Sequence, residues 1–347
     1  MNWKTHLTKT LPVFGAVGLL AITAGCGMTG TSERSEYTKV DGVYDDGYFV
    51  RYSGFFEALP TLPPIPSHNP MSPEQVDLGK MLFFEPRISA SGVISCATCH
   101  NPALGWSDRI PRATGHDGQV GDRNTPTVLN SGFFTAQFWD GREPDLEGQA
   151  LGPIEADIEM NMPLDEAIAR LEEFDAYKRA FEAAYGTPEI TPERVAKALA
   201  NFQRTLNTPN SPFDRYLAGD LDALTDSQKR GMAAFVDNGC TACHTGPALT
   251  DSNFHAIQVP GSTDEGRFLV TGDEADRFRF KTPTLRNVAV TYPYFNNGGT
   301  ETLSEAVQIM GREMLGREFD NRTNADIVAF LHSLTGEMPQ IVPPALP

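Results

Sequence analysis

Two pentapeptides govern what this 347-residue chain can fold into: Cys96-Ala97-Thr98-Cys99-His100 and Cys240-Thr241-Ala242-Cys243-His244. Each reads C-x-x-C-H. In c-type cytochromes the two thiols add to the vinyl groups of haem, and the adjacent histidine binds the iron from one face. At this chain's Cys and His frequencies one such match arises by chance about 0.001 times, so two exclude coincidence. A thioredoxin-like pair needs no histidine, and a four-cysteine zinc site would leave both histidines without a role. Four of the five cysteines fall in these pairs; Cys26 stands alone, and no disulfide framework is needed. Two covalently bound c-type haems are therefore the expected cofactors. Cys96, Cys99, Cys240 and Cys243 carry them, with His100 and His244 as proximal iron ligands.

The N-terminus reads as an export signal, which suits a cofactor attached outside the cytoplasm. Lys4 and Lys9 precede an apolar stretch of 14 residues, 11–24, interrupted by Pro12. That is short of the roughly 20 residues a membrane span needs, so residues 1–25 read as a signal peptide of lipoprotein type. Thr23-Ala24-Gly25 before Cys26 resembles a bacterial lipobox, making Cys26 the expected lipidation site. Simple cleavage leaving a free thiol is the alternative. The expected location is the periplasm, with a lipid anchor to a membrane. Against 28 Lys+Arg stand 45 Asp+Glu, a formal net charge of −17. With no basic cluster, nucleic acid is excluded as a partner, whereas a basic protein partner suits the acidic balance.

Residues 26–70, ending in a Pro-rich run, read as a tether with little core of its own. The two haem units follow, 71–210 and 211–347, with a boundary near 207–214. Ser72-Pro73 opens a helix with Leu78, Met81 and Leu82 on one face. Residues 86–160 read as loop-rich. Helical periodicity returns over 163–185 and Gly186 stops it; Thr191-Pro192 opens the next helix. Thr225-x-x-Gln228 is a capping box, Thr302-x-x-Glu305 caps a further helix, and a last helix carries Ile327, Phe330 and Leu331. The fold class is mainly α: two cytochrome-c-like haem domains with long loops, which a large buried cofactor would organise.

The chain resembles the bacterial dihaem cytochrome c peroxidases. The resemblance runs from about Leu78 to Gly336 and rests on both haem motifs, Gly115-His116, Asn124 to Asn130, Phe138-Trp139-Asp140-Gly141-Arg142, Gln149-Ala150, Glu159-Met160, Pro283 to Asn287 and Leu331-x-x-Leu334-Thr335-Gly336. It implies a peroxidase that reduces hydrogen peroxide at the N-terminal haem. Electrons would enter at the C-terminal haem from a small cytochrome c or blue copper protein, and a homodimer is common in the family.

Residue by residue, the resemblance implies that His116, sixteen residues after His100, is a second ligand of the N-terminal iron that leaves when the other haem is reduced. A loop switch of this kind needs backbone freedom, which Gly115 and Gly118 supply. Glu159 and Gln149 match the catalytic pocket pair; a carboxylate there can carry a proton between the peroxide oxygens. Without the resemblance Glu159 reads as an exposed loop acid. Trp139 matches the residue between the haems; read alone it is core packing. A thioether ligand suits an electron-storing haem, and Met310, in an Ala-Val-x-x-Met context, is chosen over Met314, one turn on. Asn124, with the carbonyls of Thr291 and Pro293, matches a calcium site. His68, His255 and His332 read as surface or structural residues. One departure stands out: many relatives have His after Pro293-Tyr294-Phe295, where this chain has Asn296. A dihaem oxidase of protein side chains or organic substrates, with Tyr292 or Tyr294 on the second iron, and a non-catalytic electron carrier are the alternatives.

Overall fold

In the computed structural model, residues 47–347 are described, together with two short paired strands, β1 (Thr38–Val40) and β2 (Val43–Asp45). The signal peptide and Cys26 lie outside the described residues. The elements that follow are α1 (Tyr48–Tyr52), α2 (Pro73–Phe83), a single turn α3 (Cys96–Cys99), α4 (Leu146–Glu155), α5 (Leu164–Glu172), α6 (Asp175–Tyr185), α7 (Pro192–Gln203), α8 (Pro212–Leu217), α9 (Asp226–Asp237), β3 (Phe254–Ala256), α10 (Phe268–Thr271), β4 (Arg279–Lys281), α11 (Leu303–Leu315) and α12 (Asn321–His332). The fold is mainly α, as expected, and β3 pairs antiparallel with β4.

Helix starts follow their caps. Ser72 and Thr225 form complete capping boxes with Gln75 and Gln228. Thr191 accepts from Arg194 N, and Thr302 from Glu305 N. Gly186 ends α6 with φ 80°, a left-handed turn that a side chain would strain.

Two apolar cores result. One gathers Leu78, Leu82, Phe83, Trp106, Phe181, Leu199 and Phe202; the other gathers Phe213, Met232, Phe235, Ile327, Phe330 and Leu334. Each fully buried Phe contributes about 1.5–3 kcal/mol. The lead-in arm is more than a tether. Tyr52 and Phe56 insert into the second core, with Phe56 edge-on to Phe213. A short aromatic helix has no core of its own, so it borrows one.

The two halves repeat one plan. The α2/α7 and α9/α12 pairs cross closely at a glycine. A Cβ on Gly79 would lie 1.9 Å from Ala198 O, and one on Gly231 1.8 Å from Asp326 O. Gly231→Ala must push α9 off α12. We expect a loss of about 1–3 kcal/mol, read as a lower denaturant midpoint at unchanged slope; an unchanged midpoint would show that the contact is dispensable.

Thr125-Pro126-Thr127 recurs as Thr282-Pro283-Thr284, where Thr127 Oγ1 donates to Gly105 O (2.7 Å) and Thr284 Oγ1 to Ala248 O (2.6 Å). Asn130 and Asn287 both take left-handed φ, 61° and 62°, and both donate to the buried hydroxyl of Thr208. Phe138 and Phe295 repeat the same conformation, φ 67° and 68°. Asp145 caps α4 where Thr302 caps α11. Even the cross-links exchange: Asn124 N donates to Asn296 O (2.7 Å), and Lys281 N to Trp139 O (2.8 Å). In this register Trp139 pairs with Asn296, Asn124 with Lys281, and Pro153 with Met310.

Candidate active site

The first C-x-x-C-H folds as the turn α3. Ser95 and Thr98 cap each other, Ser95 N donating to Thr98 Oγ1 (2.9 Å). One turn separates Cys96 from Cys99, so both thiols fall on one face. His100 is held by Nδ1 at 3.4 Å from Trp106 O, leaving Nε2 as the ring nitrogen it could offer a metal. The second motif follows Gly239, and His244 Nδ1 lies 3.2 Å from Leu249 O. A histidine fixed this way through Nδ1 is oriented as metal-binding histidines are. Burial favours the neutral, ligating imidazole in both, lowering His244 to about 4. Burial also pushes the Cys96 thiol up to about 12 and those of Cys99 and Cys240 to about 11. Such thiols lack the low pKa of a reactive redox pair. The donor set fits two covalently held haems.

Cys96, Cys99 and His100 share one cavity of about 1200 Å³ with Gln149, Pro153, Glu159, Asn124, Trp139 and Lys281. The structure thus brings together residues that span the sequence from 96 to 281. Gln149 and Pro153 come from α4, started by the Asp145 cap. This helix lies within the stretch read as loop; Gly148, Gly152 and Pro153 weaken its periodicity. Burial raises the Glu159 carboxyl above its ordinary range, and the Arg142 charge opposes this.

His116 does not line the cavity, whereas its neighbour Gly115 does. The His116 amide donates to Glu159 O (2.8 Å), which ties this turn to the Glu159 segment. A Cβ on Gly115 would lie 2.0 Å from Ile158 O, so Gly115 serves close approach rather than backbone freedom. Gly118 does adopt a left-handed φ, 76°. His116 Nδ1 is buried without a hydrogen-bond partner, and Nε2 lies 3.3 Å from Asp117.

Trp139 lies at the junction of the halves, its Nε1 donating to Asn124 O (2.9 Å). The segment after it is braced by charge: Arg123 bridges Asp140 and Asp264, and Arg142 stacks on Phe138 at 3.4 Å. Asn296 is buried and donates to Ser262 Oγ and Asp264 Oδ2, both at 3.1 Å. Asn124 Nδ2 donates to Ile110 O (2.9 Å), leaving Oδ1 as the atom it could offer a cation. Pro293 is buried and Thr291 half-buried in the loop that Asn296 O joins to Asn124. Met310 and Met314 are both half-buried on α11, and the repeat sets Met310, not Met314, at the place of cavity-lining Pro153. His255 is paired with Asp251 (2.9 Å), and His68 is exposed beside Glu147.

Sequence reasoning gave no role to Arg142, Arg123 or Lys281. The repeat around Asn124 and Lys281 is the signal that could have found the last.

The chain matches the family model described as di-haem cytochrome c peroxidase over residues 73–222. It is 45% identical over 306 residues to the cytochrome c551 peroxidase of Nitrosomonas europaea, covering 87% of this chain and 92% of that protein. It is 43% identical over 298 residues to the methylamine utilization protein MauG of Methylorubrum extorquens, covering 82% and 84%. Among solved structures it is similar to a MauG-like protein associated with microbial copper homeostasis. The TM-score is 0.73 at 28% identity, over 81% of this chain and 94% of that one.

Proposed function

This chain belongs to the di-haem cytochrome c peroxidase family, and on that footing we propose that it reduces hydrogen peroxide to two waters, using two protons and two electrons from a small cytochrome c or blue copper protein. It is a peroxidase oxidoreductase. The observation that carries the proposal is the shared cavity, which sets Glu159 and Gln149 in the same walls as Cys96, Cys99 and His100.

When bound, the two haems would together supply the two electrons that reductive cleavage of the peroxide O–O bond requires. Cys96 and Cys99 would hold one covalently and Cys240 and Cys243 the other, with His100 and His244 as the iron-binding histidines. Glu159 takes the proton from the near peroxide oxygen and returns it to the far one, so that water departs. Its raised pKa makes it the stronger base for taking that proton. The Gln149 amide would orient the peroxide. His116, with its orphaned Nδ1 and tight turn, is the gating ligand, and it must swing to reach the cavity. Trp139, joined to Asn124 and Lys281, lies on the electron path. The Asn124 Oδ1, with the carbonyls of Thr291 and Pro293, holds a calcium ion. Met310 would supply the thioether to the C-terminal iron, a choice supported by the repeat, in which its partner Pro153 lines the cavity around Cys96 and His100. The domains divide at 71–210 and 211–347. The protein works in the periplasm, lipid-anchored through Cys26 after loss of residues 1–25, and pairs as a homodimer; no helix among the described residues is long and apolar enough to cross a membrane.

Side-chain oxidation of the MauG kind is the second reading, favoured by the 43% identity to that relative. Stopped-flow spectra with peroxide, before and after one-electron reduction, separate the two. The peroxidase gains peroxide turnover on reduction. Met310→Leu removes the thioether signature and lowers the second haem's potential; Met314→Leu leaves both intact. A wild type that lacks a thioether signature, or that turns over no peroxide after reduction, would refute the first reading.

A further inference from the structure

Lys281 stands on β4, in the wall of the large cavity and beside Trp139. Its side chain is buried, with 7% of its surface exposed. Yet its ammonium has three donors and one acceptor, the carbonyl of the adjacent Thr282 at 3.2 Å. The ring of Phe134 lies 4.7 Å from Nζ. Among the described residues, no carboxylate comes within 4.0 Å of it. Burying a charge without a partner is costly unless something else pairs with it. Burial accordingly lowers its pKa to about 8, with Asp251 a weak opposing influence.

The repeat says what the position is for. Lys281 occupies in the second half the place Asn124 occupies in the first. Phe134 and Ala136 likewise stand where the second half has Thr291 and Pro293. On one side of the junction, then, an amide and a carbonyl-bearing loop suit a bound cation. On the other side, the chain sets its own cation over Phe134. We propose that Lys281 is this built-in cation, and that its ammonium pairs with a carboxylate on the edge of the porphyrin in the cavity. This rests on the haem reading above. Lys281 is thereby a positioning residue: it fixes the porphyrin edge beside Trp139, and its charge favours the reduced iron.

The test uses the full, matured protein and begins by counting haems in the wild type. Lys281→Met keeps length and apolar bulk but removes the charge. We expect two haems per chain to be retained. For one of them the ratio of reduced to oxidised protein at a fixed poise should fall about tenfold, a shift of ~59 mV for one electron. The porphyrin-carboxylate bending band in resonance Raman spectra should shift, and Lys281→Arg should restore both readings. A lysine that merely ties Thr282 would move neither. If Lys281→Met does not fold, Lys281→Gln supplies the same two readings. Two haems with unmoved potentials and an unmoved band in the uncharged variant overturn this inference alone. Fewer than two haems in the wild type overturns the function proposed above and this inference with it.

Discussion

Glu159→Gln is expected to lower peroxide turnover by about 10²–10⁴-fold, the range a positioned proton-transfer group contributes, while both haems remain in place. Burial in the cavity wall raises the pKa of this carboxylate, so it is suited to taking the peroxide proton that it then passes on. Glutamine keeps the shape and the hydrogen-bonding amide, but it cannot exchange a proton. The hydrogen bond from the His116 amide to residue 159 uses the backbone carbonyl, so the substitution leaves that tie unbroken. The loss therefore reports proton transfer rather than a collapsed loop. Steady-state rates with peroxide in excess, read beside a haemochrome count and the resting spectrum, make the check. A variant that keeps its full rate would remove Glu159 from the chemistry and assign the proton transfer to another group in the cavity wall.

The sequence made the helix starts legible because capping is a local matter. Ser72, Thr191, Thr225 and Thr302 each accept a backbone amide three residues on, and no tertiary contact is needed for that. The two C-x-x-C-H motifs are visible for the same reason, since both thiols and the histidine lie within five residues. Where distant residues decide, local reading failed. Periodicity ran through 163–185 as one stretch, but Phe174 turns extended between α5 and α6, where its ring stacks on Arg87 at 4.0 Å. Helix α4 was hidden by its glycines and Pro153. Its role depends on packing against α7, which local sequence does not report. Arg123, Asp264 and Asn296 look like loop polar residues until the fold joins them across the halves. The repeat is only partly legible: Thr125-Pro126-Thr127 recurs as Thr282-Pro283-Thr284, but Trp139 pairs with Asn296 and Asn124 with Lys281, pairs that share no chemistry and are matched only by backbone conformation and hydrogen bonding.

The second large effect is expected at a buried ion pair behind the C-terminal haem site. Arg286 is 1% exposed and Asp214 6%. They meet at 2.8 Å, Nη1 to Oδ1. The same Oδ1 accepts from Leu59 N (3.0 Å), and Oδ2 accepts from Ser211 N (2.9 Å) and Ser211 Oγ (2.7 Å). Arg286 spends its other donors on Glu57 O (3.1 Å) and Pro247 O (2.9 Å). One pair thus joins the lead-in arm, the start of α8 and the loop whose Leu249 carbonyl holds His244. Replacing such a pair by matched apolar groups can be neutral, but removing one partner strands a charge in the interior. Asp214→Ala should therefore cost about 3–5 kcal/mol, a fall in melting temperature of roughly 6–20 °C for a unit of this size. The C-terminal haem's spectrum should broaden first, because its histidine loop loses its anchor, while the cavity around Glu159 keeps its shape. The double variant Asp214→Leu with Arg286→Met should recover much of the loss, the non-additivity expected of residues in direct contact. Equal additive losses from the two single variants would mean that the arm and the loop are held by other contacts, and that the pair is incidental to the C-terminal half.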